Sequence, residues 1–290
     1  MIPGYRPKWW ILVLGAITLP FIAWLLFSWL PRALIPRPAV GIIHIDDDIW
    51  SGSNTLFLAE IDAARHDPRI KAVVVQFDSP GGEVVASQAL YMELLNLRRQ
   101  MPVVGSIDEM AASGAYYAAL ATDPIYAKPS SAVGNVGAWA RVPEDLAVND
   151  VIIATGPFKL TGSNREEFLR ELEGVKREFL ATVLTQRGDR LTLTPAELSQ
   201  GLLYLGREAV RLGLIDRIGT QTDAIAEAAA QAGIAHYEVI DLEERVFQQF
   251  FGILTPWEQP WVGAADPVTG DRSLPYGIYL LYDPWLRGVP

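Results

Sequence analysis

The sequence predicts an α/β protein with a parallel central sheet, preceded by one N-terminal transmembrane helix. Three observations predict this. Strand-like apolar runs alternate with helix-like stretches across residues 39–245, and such alternation implies crossover connections and parallel pairing. One run, Ala72-Val73-Val74-Val75-Gln76-Phe77, is nearly all apolar, as a strand buried on both faces must be. The 22 residues from Trp9 to Leu30 carry no charge.

That uncharged run is long enough, at ~1.5 Å per residue, to cross a ~30 Å hydrocarbon layer. Trp9, Trp10 and Trp29 sit at its ends, where indole rings favour the headgroup region. It exceeds the ~7–15 residues of a signal-peptide core, and Trp29-Leu30-Pro31-Arg32 is not a small-residue cleavage site. Residues 1–38 are therefore expected to be an uncleaved anchor and a proline-stiffened tether. Arg6 and Lys8 on one side, against Arg32 and Arg37 on the other, bias the body only slightly toward the extracytoplasmic side of a single-pass topology.

The body is acidic. The whole chain of 290 residues has 34 acidic and 24 basic side chains, a net charge of −10, and the leader contributes only positive charge. This argues against nucleic acid as a partner, since phosphates need a basic surface. The chain has no cysteine, which removes disulfides, thiolate nucleophiles and cysteine metal sites. Its three histidines, His44, His66 and His236, are scattered without ligand spacing. No metal and no cofactor is expected.

Strands are expected at Val40–Ile45, Ala72–Phe77, Pro102–Ile107, Ile125–Ala127, Val151–Ala154 and Tyr237–Leu242. Ser79-Pro80-Gly81-Gly82 ends the second strand. Helical spacing follows from Glu83 to Gln100, with Val84, Leu90, Leu94 and Leu97 on one face. Ala112–Ala121 reads as a short helix of small residues. Ser163 with Glu166 fits a capping box that opens a helix running to Arg187. Thr194-Pro195-Ala196-Glu197 is a second helix start, and Gly206–Leu212 and Thr222–Ala232 are further helices. Residues 246–290 form an extension, rich in aromatics and prolines, with only six charged groups from Phe247 onward. It is expected to pack on the body, and a testable alternative is that it fills a neighbouring subunit's groove.

Without cysteine or clustered histidine, a serine nucleophile must find another base, and lysine can serve once apolar surroundings favour its neutral form. The five lysines are Lys8, Lys71, Lys128, Lys159 and Lys176. Lys159, just past an apolar strand, fits best, and Lys128 is the alternative. Ser113, in Ala111-Ala112-Ser113-Gly114-Ala115-Tyr116-Tyr117, stands between a strand and a helix start that offers backbone donors to an oxyanion. Gly81-Gly82 offers a second donor and close backbone approach. Tyr116 and Leu120 are expected in a substrate groove.

Taken in order, four stretches carry a family resemblance: Phe77-Asp78-Ser79-Pro80-Gly81-Gly82, Ala111 to Tyr117, Ser130-Ser131-Ala132-Val133-Gly134-Asn135-Val136-Gly137, and Gly156-Pro157-Phe158-Lys159. Together with Gly206–Val210 and Gly213–Asp216, they resemble the signal peptide peptidase A (SppA-type) family of membrane-anchored serine proteases, over roughly Val40 to Ile240. The resemblance implies a Clp/crotonase-like fold of repeated ββα units in a superhelix. It implies Ser113 as nucleophile, Lys159 as general base, and the N–H groups of Gly82 and Gly114 as the oxyanion hole. It implies homo-oligomers, in which one subunit's serine can meet another's lysine. Gly137-Ala138 and Phe158 depart mildly from the family pattern, and the tail lies outside it. The expected function is a membrane-anchored Ser-Lys endopeptidase acting on hydrophobic peptides such as released signal peptides. The alternatives are a non-catalytic membrane scaffold and a crotonase-like acyl-CoA enzyme using Glu83 and Glu109.

Overall fold

The computed structural model describes residues 36–141, 159, 162, 164–251 and 277–281, with Thr18, Pro20, Phe21 and Trp24 near the N-terminus. Most of the expected membrane helix and the expected strand at Val151–Ala154 fall outside the described residues. Thr18, Pro20, Phe21 and Trp24 are helical and exposed. Among the described residues, no helix is long and apolar enough to cross a membrane.

The first half runs β1 (Ala39–Ile45), α1 (Ser51–His66), β2 (Ile70–Ser79), β3 (Gly81–Glu83), α2 (Val84–Arg98), β4 (Val103–Ala112), α3 (Gly114–Ala119), β5 (Ile125–Ala127), β6 (Ala132–Gly134) and β7 (Trp139–Arg141). The second half runs α4 (Arg165–Arg187), α5 (Pro195–Leu198), β8 (Leu203–Leu205), α6 (Gly206–Arg211), β9 (Arg217–Ile218), α7 (Gln221–Gln231), β10 (Glu238–Asp241), α8 (Leu242–Phe251) and β11 (Gly277–Leu281). The main sheet has the order β10-β1-β2-β4-β5-β9. Every neighbour along that path is parallel. β6 extends it beside the end of β4, and β8 pairs antiparallel with β6.

Both faces of the sheet are buried, and the alternation along β2 shows it. Val73, Val75 and Phe77 join one core with Ile43, Ile45, Leu90, Leu94 and Leu97. Ala72 and Val74 join another with Val40, Ile42, Val104 and the alanines 224, 228 and 229 of α7. Side chains two apart share a face, so an all-apolar strand is the signature of a sheet covered twice.

Four expectations need correction. α1 was not expected: its buried face is Asn54, Phe57, Glu60, Ile61 and Ala64, and the two polar members break the apolar period. α8 was not expected either, although Leu242 and Val246 are buried. The cap of α4 is Asn164, whose side chain accepts from the Glu167 N–H at 2.8 Å, one residue beyond the expected Ser163. Tyr116 and Leu120 lie in the core at 0% and 1% exposure, and do not line a groove.

Candidate active site

β4 delivers the chain to Ser113. The Ala112–Gly134 pairing of β4 with β6 places Gly134 beside it, and the Ser113 N–H donates to the Gly134 carbonyl at 2.8 Å. Ser113 has φ 52° and ψ −117°, a backbone state that residues other than glycine rarely adopt. Such a residue costs roughly 1–3 kcal/mol and persists only where its surroundings over-determine it. Here they do: Ser113 is 2% exposed, and all six residues of α3 are buried.

Small side chains let α3 sit inside the molecule, and aromatic rings hold it there. Tyr117 meets Phe179 edge-on at 5.1 Å and Tyr91 at 4.9 Å between ring centroids. The Tyr116 hydroxyl donates to the Leu214 carbonyl at 2.8 Å, and burial raises its pKa. Gly114 is the first helical residue, so its N–H belongs to the turn whose donors have no intrahelical acceptor.

The Gly81-Gly82 turn lies on the neighbouring strand, with Ser79 paired to Ala111. Ser79 Oγ donates to the Asp47 carbonyl at 2.7 Å and accepts from the Gly81 N–H at 3.2 Å. Gly81 has φ 100°. The Ile49 N–H donates to the Gly81 carbonyl and the Glu83 N–H to the Ile49 carbonyl, both at 2.8 Å. This bridge is so close that a Cβ on Gly82 would fall 2.0 Å from the Ile49 carbonyl oxygen. Only glycine fits there.

Lys159 stands differently. It lies in a turn and is exposed, and among the described residues no hydrogen bond joins it to Ser113. Lys128, the alternative base, is engaged in an ion pair with Asp108. Asp78, beside the turn, accepts from the Met110 N–H at 3.3 Å, and burial raises its pKa. Of the two glutamates named for an acyl-CoA reaction, Glu83 and Glu109, Glu83 accepts from Ser51 Oγ at 2.7 Å and from its N–H at 3.2 Å. The structure thus brings Ser113, Gly114 and the Gly82 turn to adjacent strand ends.

Sequence reasoning did not single out Gly134, whose carbonyl orients Ser113. Its signal was the Gly134-Asn135 pair, two successive residues at positive φ, 114° and 56°. Asn135 is locked from both ends, its N–H donating to Leu202 and its side-chain amide to Gly201, each at 2.8 Å. The opposite end of the domain closes on an ion pair whose arginine is buried. Arg187 donates to the Asp216 carboxylate at 2.8 and 3.0 Å and to the Gly213 carbonyl at 2.7 Å. Burial pushes the Asp216 carboxyl up, but the Arg187 hydrogen bonds and charge outweigh it, and the net shift is downward.

A parallel sheet that holds a strained serine at a strand-to-helix turn is an arrangement that can serve nucleophilic hydrolysis. The profile of peptidase family S49 matches residues 96–235. A protein of Synechocystis sp., named as a candidate protease, is 30% identical over 212 residues, covering 68% of this chain and 76% of the relative. "Protease 4" of Salmonella typhi is 30% identical over 225 residues, and "Serine protease SPPA, chloroplastic" of Arabidopsis thaliana is 28% identical over 201. The alignments cover 69% and 64% of this chain, but only 36% and 30% of those longer relatives. The chain belongs to peptidase family S49.

Proposed function

We propose that the protein is a membrane-anchored serine endopeptidase that hydrolyses extended hydrophobic peptides, released signal peptides among them, with a Ser113–Lys159 dyad. The observation that carries this reading is the turn at Ser113: a buried serine, held at positive φ, beside a glycine strand that tolerates no side chain. Residues 1–38 serve as the anchor and tether, and residues 39–245 form the peptidase domain as a Clp/crotonase-like superhelix. The slight charge bias puts that domain on the extracytoplasmic side.

In this mechanism neutral Lys159 Nζ takes the Ser113 hydroxyl proton as Oγ bonds to the peptide carbonyl carbon. The N–H groups of Gly82 and Gly114 receive the oxyanion. The Lys159 ammonium then gives its proton to the leaving amine nitrogen as the C–N bond breaks. Water, with Lys159 again as base, attacks the ester, and Ser113 leaves with its proton restored. Lys159 is exposed in the single chain, and a second copy of the chain covers it in an oligomer. The engagement of Glu83 at the start of α1 weighs against the acyl-CoA alternative.

The test is hydrolysis of a fluorogenic apolar peptide by the full chain in detergent or liposomes. Ser113→Ala is expected to lower kcat by roughly a thousandfold or more. Equal activity in wild type and Ser113→Ala excludes the reading.

A further inference from the structure

β11 belongs to no part of the main sheet. It lies between β3 and β7, antiparallel to both, in a three-stranded sheet of order β3-β11-β7. Its register sets Leu280 opposite Gly82, Leu281 opposite Gly81 and Tyr279 opposite Glu83. On its other edge Tyr279 stands opposite Trp139, Ile278 opposite Ala140 and Gly277 opposite Arg141. β11 also approaches α3, which begins immediately after Ser113.

The backbone directions follow from the Ile49 bridge. Ile49 uses the Gly81 carbonyl and the Glu83 N–H. Successive residues of a strand turn their N–H and C=O groups to opposite edges, so those of Gly82 face β11. That makes Gly82 and Leu280 the hydrogen-bonded pair, with the Gly82 N–H aimed at the Leu280 carbonyl. With strands spaced ~4.8 Å apart, β3 and β7 flank a slot of roughly 10 Å, one strand wide. Without an occupant, both would present unpaired backbone groups across it.

We propose that this slot is the channel for an extended peptide, and that the chain's own segment Gly277–Leu281 occupies it as a tethered, substrate-like inhibitor with the Leu280 carbonyl at the Gly82 donor. This rests on the assignment of Gly82 to the oxyanion hole made above. The segment suits the role by composition, Gly-Ile-Tyr-Leu-Leu being five uncharged residues without proline. Backbone pairing gives affinity without regard to sequence, so any extended apolar peptide competes for the same place. Tethering raises the segment's effective concentration to the millimolar range, so free substrate enters only when the tail is displaced. The sequence led us to expect a tail packed on the body, with a neighbouring subunit's groove as the alternative, and β11 pairs within its own chain.

The test is Leu280→Pro in the full chain. Proline removes the N–H that faces Gly82 and leaves the rest of the tail in place. Leu280→Ala, which keeps that N–H, is the control. Two readouts are taken: hydrogen exchange of the segment containing Gly81–Glu83, and hydrolysis of the apolar peptide. The expected result is faster exchange at that segment and roughly tenfold higher hydrolysis in Leu280→Pro but not in Leu280→Ala. A synthetic peptide of residues 275–283 should then inhibit Leu280→Pro more strongly than wild type. Unchanged exchange overturns the proposal, as does faster exchange with no gain in hydrolysis by an enzyme that hydrolyses the peptide. Faster exchange with no hydrolysis by any variant upholds the occupied slot and overturns the catalytic reading instead.

Discussion

Ser113 and Lys159 stand in opposite environments. The serine is 2% exposed, its backbone is held at positive φ by the Gly134 carbonyl, and the helix behind it is wholly buried. The lysine is exposed in a turn. The difference teaches where preorganisation resides. Ser113, Gly114 and Gly82, the proposed nucleophile and oxyanion donors, sit at strand ends whose packing can hold strain. Lys159, the proposed base, lies outside the sheet in a turn. Under that proposal one chain presents a packed nucleophile half and an exposed base half.

The sharpest way to break that contrast is to separate the halves. Ser113→Ala and Lys159→Ala are each expected to be inactive alone. Mixed and co-assembled in equal amounts, they should recover about a quarter of wild-type activity, the fraction of contacts that pair an intact serine with an intact lysine from another copy. Absence of recovery would place both halves in one chain, with bound substrate as the cover.

A smaller effect tests the packed half by itself. Glu60 is 1% exposed on α1 and accepts from the His44 N–H at 2.9 Å. Burial pushes its carboxyl up from 4.5 to about 8, with Glu243, Asp241 and Asp46 adding to the push. The folded chain thus binds this proton more tightly than the unfolded chain does. Stability is fully retained at low pH and declines as pH rises from about 4.5 to about 8. Glu60→Gln keeps an acceptor for His44 and loses the titration. It should be more stable than wild type by about 1–3 kcal/mol at pH 8, and nearly equal at pH 4.5. Thermal unfolding across that range checks it, and equal curves for the two proteins would show that Glu60 is not held protonated.

The same contrast explains what was legible in the sequence. The doubly covered sheet was readable because Ala72–Phe77 is apolar at every position but one. Gly81-Gly82 was readable because glycine is tied to backbone geometry, whereas Ser113 was readable from its place in the family motif, since serine itself rarely takes a positive φ. α1 escaped because Asn54 and Glu60 occupy its buried face, and burial of polar groups depends on partners that local pattern does not contain. The strand at Gly277–Leu281 escaped for a related reason. Five apolar residues become a strand through edges supplied almost 200 residues earlier in the chain, at Gly81–Glu83. The desolvation expected for Lys159 was inferred from its apolar neighbours in sequence, yet exposure is set by what packs over it.

Labelling with a fluorophosphonate probe, followed by mapping of the modified peptide, tests the central claim most directly. The wild-type chain, assembled in its membrane or detergent state, should be labelled at Ser113, and both Ser113→Ala and Lys159→Ala should lose that label. Labelling of Ser113 that persists undiminished in Lys159→Ala, or labelling at another serine altogether, would contradict the dyad.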